Sequence, residues 1–185
     1  ARDRRAGMKD KNFKRFLKQF KDAVLDSHNR LGDETAIIKP ASIVDVCTWL
    51  RDDDKCRFDM LTDLTAVDYD KRQPRFEVVY HLYSTTEKHR IRLRVPLEES
   101  APTVPSVAGV WRCANWAERE VWDLYGIRFE GHPDLRRILL YEEFEGHPLR
   151  KDYPIQRSQP RMDLRRKERD AVEEYRTLFV PGRDH

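Results

Sequence analysis

Arg90-Ile91-Arg92-Leu93-Arg94-Val95 decides the reading of this chain. Ile91, Leu93 and Val95 alternate with three arginines, the period of two expected of a strand with one buried face and one wet face. Working outward, Arg75-Phe76-Glu77-Val78-Val79-Tyr80-His81-Leu82-Tyr83 repeats the pattern, with Phe76, Val78, Tyr80 and Leu82 on one side. The polar stretch 84–88 suits the loop of a hairpin between them. Residues 58–67 read as another strand, connected by a loop at 68–74. A mostly antiparallel sheet is the expected scaffold.

Toward the N-terminus, Phe13, Phe16, Leu17, Phe20, Val24 and Leu31 follow helical spacing after a possible Asn12 cap. They predict one amphipathic helix ended by Gly32. Lys14, Arg15, Lys18 and Lys21 occupy its other faces as a solvated surface, with a membrane-surface helix as the competing reading. Residues 35–39 suggest a short strand. After Pro40 a helix is expected with Ser42 as its cap, Asp45 three residues on, and Ile43, Val46, Cys47 and Leu50 as its apolar face; a charged turn at 51–55 closes it. Downstream, Pro102 and Pro105 break the chain before residues 107–111. Asn115 with Glu118 then forms the pattern of a capping box, and Gly126 stops the helix. On this helix Trp116, Glu120 and Asp123 share a side, and Arg119 can pair with Asp123 one turn on.

Composition excludes several classes. At 185 residues, with 37% charged and 39% apolar residues, the chain suits one folded domain. Its net charge of +3 is small for a nucleic-acid binder. The arginine stripe lacks the exposed aromatics of an RNA-binding sheet, with only His81 and Tyr83 nearby. No run approaches the roughly 18 apolar residues of a membrane helix. The three cysteines, Cys47, Cys56 and Cys113, form no C-x-x-C pair, so the chain is expected to hold no iron-sulfur cluster by itself. Each is read as a small buried apolar residue.

Paired acids invite a catalytic reading. Glu120 and Asp123 could act as acid and base, or join His132 and His147 around a metal. The spacing contains no H-E-x-x-H, and each histidine sits in its own Gly-His-Pro turn. No glycine-rich nucleotide loop is visible. Carboxylates among this many arginines more simply form ion networks. Glu130-Gly131-His132-Pro133-Asp134-Leu135-Arg136-Arg137 is partly echoed by Glu145-Gly146-His147-Pro148-Leu149-Arg150-Lys151-Asp152, two sharp turns each followed by cations. Between them lies Ile138-Leu139-Leu140. Such a segment suits a fixed extended shape with charge-paired anchors, in which Arg136, Arg137 and Arg150 engage Glu118, Glu120 and Asp123 or acids on a partner.

Here a resemblance becomes specific. Glu118-Arg119-Glu120, Asp123-Leu124-Tyr125-Gly126-Ile127, Gly131-His132-Pro133-Asp134-Leu135-Arg136-Arg137-Ile138-Leu139 and Gly146-His147-Pro148-Leu149-Arg150-Lys151-Asp152-Tyr153-Pro154 resemble the signature of the C (30 kDa) member of respiratory NADH:quinone oxidoreductase, complex I. Asp63-Leu64-Thr65-Ala66-Val67-Asp68 and residues 75–82 are also similar, so the likeness spans most of residues 12–154.

The resemblance implies an α+β domain in the quinone-reducing module of the peripheral arm. It implies no catalytic, cofactor or metal residue in this chain, with FMN and iron-sulfur clusters held by other subunits. The implied partners are the D (49 kDa) and B subunits, with neither nucleic acid nor a membrane span, at the cytoplasmic face of a bacterial inner membrane or the matrix side of a mitochondrial one. Electrons pass there from NADH to quinone, coupled to proton translocation. The signature residues Glu118, Arg119, Glu120, Asp123, Gly131, His132, Pro133, Arg136, Arg137, Gly146, Pro148, Arg150, Lys151 and Tyr153 are the expected subunit interface. Three regions follow: a basic arm at 1–11, unlike a transit peptide in containing an acid and no Ser; the domain at 12–154; and a charged tail at 155–185, expected to order on a partner. The alternatives are a ferredoxin- or hydrogenase-linked relative, and a stand-alone domain using Glu118, Glu120, Asp123 and Arg136.

Overall fold

A computed structural model describes residues 7–30 and 32–160. Its centre is a five-stranded sheet of β1 (Val24–Arg30), β2 (Asp33–Ile38), β3 (Met60–Asp68), β4 (Phe76–Tyr83) and β5 (Arg90–Leu97), in the order β1-β2-β5-β4-β3. Neighbours run antiparallel except β2 and β5, which are parallel. Helices α1 (Asp10–Gln19), α2 (Ile43–Asp52) and α3 (Ala114–Tyr125) and a small parallel pair, β6 (Thr103–Pro105) with β7 (Arg128–Glu130), complete an α+β domain.

The hairpin forms as its alternation dictates. Val78 faces Val95, Tyr80 faces Leu93 and Leu82 faces Ile91, and all six are buried. Leu64 and Ala66 of β3 and Ala36 of β2 extend the same apolar face. Because the side-chain period is two, a slip of one residue would expose this whole set, so burial fixes the register. On the reverse face Arg94 donates to Glu77 and to the Tyr69 hydroxyl, Arg92 lies 3.7 Å from Asp33, and Arg90 stacks over Tyr83. The arginine stripe is thus matched by acids and rings of its own chain.

The N-terminal helix is shorter than its periodicity suggests. It begins at Asp10 after Lys9, so Asn12 is not the cap; the Asn12 amide instead donates to the Lys55 carbonyl. It ends at Gln19, and residues 24–30 form β1 rather than more helix. Gly32, at φ 81°, allows the turn that folds β1 back on β2. One edge of β2 is paired by β5, and β1 satisfies the backbone groups on the other edge, a tertiary demand that outweighs the coincidental spacing of Val24. Leu31 lies outside the described residues. The amphipathic reading holds within α1, where Phe16 and, just beyond its end, Phe20 pack against Trp49 of α2. Arg15 pairs with Asp53 at 2.7 Å.

Other local expectations are also revised. Ser42 closes a 3-10 turn, Pro40–Ser42, and makes no side-chain cap bond. Asn115 lies inside α3, whose cap position is Cys113, and Pro105 ends β6 rather than breaking the chain. Cys47 and Cys56 are buried, but Cys113, at the cap position of α3 between the buried Trp111 and Ala114, is exposed. Of the stretch 1–11, residues 1–6 lie outside the described residues; Met8 is in the core, and its amide donates to the Arg90 carbonyl at 3.1 Å. Of the tail 155–185, residues 161–185 lie outside the described residues. Among the described residues no helix is long and apolar enough to cross a membrane.

Candidate functional site

Beyond β7, residues 131–160 contain neither helix nor strand, yet the segment is held along much of its length. Its first anchor is Asp123, buried in the last turns of α3. Oδ2 accepts the consecutive amides of Ile138, Leu139 and Leu140 at 3.1, 2.9 and 2.9 Å. Oδ1 accepts Arg137 Nη1 at 2.6 Å. A carboxylate near a helix C-terminus faces the unfavourable end of the macrodipole, and burial raises its pKa further. The amides, with Leu140 foremost, and the Arg137 guanidinium outweigh both, so the group is held below the ordinary aspartate value.

Arg137 continues the bracing, with Nη2 donating to the carbonyls of Phe144 at 2.7 Å and Gly146 at 3.2 Å. Gly146, at φ 90°, turns the chain, and His147 then donates from Nδ1 to the Asp123 carbonyl at 2.9 Å. After Pro148, the Leu149 amide donates to Leu124 O at 3.0 Å, and Arg150 Nε to Tyr125 O at 2.6 Å. Gly126, at φ 75°, ends α3 in the left-handed conformation beside the His147 ring. Tyr153 stacks on Phe144.

A second anchor is not legible in the sequence. Arg75 and Asp68, both buried where β3 and β4 meet their loop, form a two-armed pair at 2.9 Å on each arm. Asp68 Oδ2 also accepts the Lys151 amide at 2.8 Å, and Arg75 reaches Asp152 Oδ1 at 2.8 Å. Burial opposes ionisation of Asp68, but Arg75 and the amides of Lys151 and Asp70 bring its pKa down to about 2. The available signal was an acid and a cation flanking one hairpin loop, which says nothing of what lies above them.

The structure redistributes the predicted pairs. Arg119 does not meet Asp123; it donates to the carbonyls of Arg136 and Arg137 at 3.1 and 2.9 Å. Of the three expected anchors only Arg137 engages an α3 acid. Arg136 pairs with Asp134 on the surface, and Arg150 binds a carbonyl. Glu120 is exposed while Asp123 is buried and fully occupied, so the two make no acid-base pair. Glu118 does not complete a capping box. It is wholly buried, accepting the Val107 amide at 2.7 Å and the Ser106 hydroxyl at 2.6 Å. Burial pushes its pKa up to about 7.

His132 Nε2 donates to Asn115 O at 3.0 Å, and Nδ1 accepts the Asp134 amide at 3.0 Å. This fixes the neutral tautomer and leaves no ring lone pair for a metal. Among the described residues no three His, Cys, Asp or Glu side chains are grouped to hold a metal ion. Gly131, at φ 76°, supplies the preceding turn, and Pro133 is exposed beside it.

Fold and site together define a class: a mixed-sheet domain carrying a long irregular segment pinned at residues 137–140 and at residue 151 by buried acids, built to hold a shape. The particular family follows from comparison. Residues 36–159 match the model of the respiratory-chain NADH dehydrogenase 30 kDa subunit, and the chain belongs to that family. The C subunit of NADH-quinone oxidoreductase from Roseiflexus sp. (strain RS-1) is 53% identical over 134 residues, covering 72% of this chain and 77% of the relative. Its counterpart from Geotalea uraniireducens (strain Rf4) is 46% identical over 138 residues, 75% of this chain and 83% of the relative. Among solved structures, a trypsin-resistant fragment (1-134) of Nqo5 is 32% identical, with a TM-score of 0.54 over 66% of this chain and 98% of that one. A chain of an archaeal respiratory membrane complex, the membrane-bound sulfane sulfur reductase, shares the fold at 19% identity, with a TM-score of 0.67 over 95% of both chains.

Proposed function

We propose that this chain is a structural subunit, with no redox group of its own, in the peripheral arm of a proton-translocating NADH-quinone oxidoreductase. It braces the D (49 kDa) subunit near the B subunit at the cytoplasmic face of a bacterial inner membrane. FMN and iron-sulfur clusters in other subunits carry the electrons from NADH to quinone. Its relatives are named as the C subunit of that enzyme. The observation that carries the non-catalytic reading is the use made of the reactive signature groups. Asp123, Glu118, His132 and His147 all bind atoms of their own chain, so they shape a surface rather than converge on a substrate.

The test is affinity purification of the tagged chain from its native membranes in mild detergent. The expected result is recovery of the other subunits with NADH-dependent quinone reduction, and no turnover by the isolated chain. An Arg136→Ala variant that assembled fully but lost all turnover would overturn the structural role.

A further inference from the structure

We infer that the exposed face around Trp116 is the contact by which this chain seats on another protein subunit, one whose surface offers an apolar recess bordered by carboxylates. The inference rests on the assembly reading above and deepens it.

Trp116 is 70% exposed, although it lies on α3 between the buried Ala114 and Glu118. Tryptophan is highly buried on average, so an indole this open, set beside a groove and an arginine, points to a contact surface. This one is presented rigidly. Glu118 ties the first turns of α3 to residues 106 and 107, and Asp123 ties its last turns to residues 137–140. A helix held at both ends leaves little backbone to be ordered on binding, which favours affinity.

The surroundings specify the partner. Ala108, Gly109, Gly131 and Pro133 line a shallow groove beside the indole, their small side chains leaving it open. Arg112 stands at the groove and Arg119 one turn along α3. Neither has a carboxylate within ion-pairing distance among the described residues, since Arg119 donates only to carbonyls. The acid Asp134 is occupied by Arg136. Uncompensated guanidinium charge next to an indole calls for carboxylates around an apolar recess. Trp and Arg are also the residues most enriched where interfaces concentrate their binding energy.

The experiment places a photo-crosslinking p-benzoylphenylalanine at position 116 of the tagged full-length chain, in cells that make the whole complex. After illumination and purification the joined peptides are read by mass spectrometry, with the same probe at position 25 as reference, because Leu25 is also exposed, at 52%, but lies on β1. The expected result is a crosslink from position 116, and not from 25, to a co-purifying subunit at a segment bearing Asp or Glu. In parallel, Trp116→Ala and Arg112→Glu should each lower recovery of the other subunits by about tenfold, while both isolated variants melt with the wild-type chain.

A crosslink into residues 161–185 of this chain or into a second copy of it, or one no stronger than from position 25, overturns the inference. Full recovery of subunits by both variants does so as well. If the wild-type chain itself recovers no oxidoreductase subunit, the assembly reading fails and this inference with it. If the wild type recovers them and the variants do equally, this inference alone fails.

Discussion

The backbone amide of Lys151 donates to Oδ2 of Asp68 at 2.8 Å, joining residues 83 positions apart. The same buried carboxylate takes both arms of Arg75, so the sheet edge and the far end of the irregular segment share one ion pair. The Asp68 pKa, near 2 in the fold, lies below the ordinary 3.8. Its contribution to stability is therefore present above about pH 3.8 and is lost as pH falls through about 2. Asp68→Ala leaves the buried Arg75 guanidinium only the more exposed carboxylates of Asp152 and Glu99 and leaves the Lys151 amide without its acceptor, and a loss of about 3 kcal/mol is expected in urea unfolding. Hydrogen exchange at the Lys151 amide should rise with it; unchanged protection there would remove Asp68 as the anchor.

Arg136 and Arg137 are sequence neighbours with opposite fates, and this is measurable. Arg137 bridges Asp123 and two carbonyls and is mostly buried, whereas Arg136 meets Asp134 at the surface. Arg137→Ala should cost about 3 kcal/mol in equilibrium unfolding, and Arg136→Ala less than about 1 kcal/mol. Equal costs would mean that the Asp123 anchor contributes little.

Glu118 supplies a pH dependence of the opposite sign. Its pKa, raised to about 7 from 4.5, means that the folded chain holds this proton more tightly than the unfolded chain does. The stability linked to it is full below about pH 4.5 and is lost as pH rises through about 7. Thermal melting of the isolated chain should fall across that window. Glu118→Gln, which keeps an acceptor for the Val107 amide, should flatten the fall.

Gly126→Ala tests the exit from α3. A Cβ there would lie 2.5 Å from the His147 ring, at φ 75°. The left-handed backbone alone costs about 1–3 kcal/mol for a residue with a side chain. A lower melting temperature is expected, together with an NMR shift of the His147 ring as it loses its place beside Asp123.

The cysteines predict a simple titration. In the native isolated chain a thiol reagent should modify Cys113 rapidly, while Cys47 and Cys56 react only after denaturation. Burial pushes the Cys56 thiol up to about 12 and the Cys47 thiol higher still, so neither offers a thiolate near neutrality. Rapid native modification of Cys47 would contradict its position in the core.

The sequence by itself determined the β4–β5 hairpin, the apolar face of α2 and the Gly126 stop of α3, because each follows from local periodicity or from one residue's backbone freedom. It also carried the family signature. It did not reveal β1, since residues 24–30 become a strand only when β2 offers an unpaired edge, and nothing within that stretch records the neighbour. The pairings within the signature were likewise beyond it: Asp123 with Arg137 and three amides rather than with Arg119, Glu118 with residues 106 and 107 rather than with a helix cap, and Asp68 with residue 151. A side chain's spacing limits which partners it can reach within its own helix. The choice among partners from distant parts of the chain is made by burial, where each carboxylate must find donors or remain protonated, and only the folded chain brings those donors within reach.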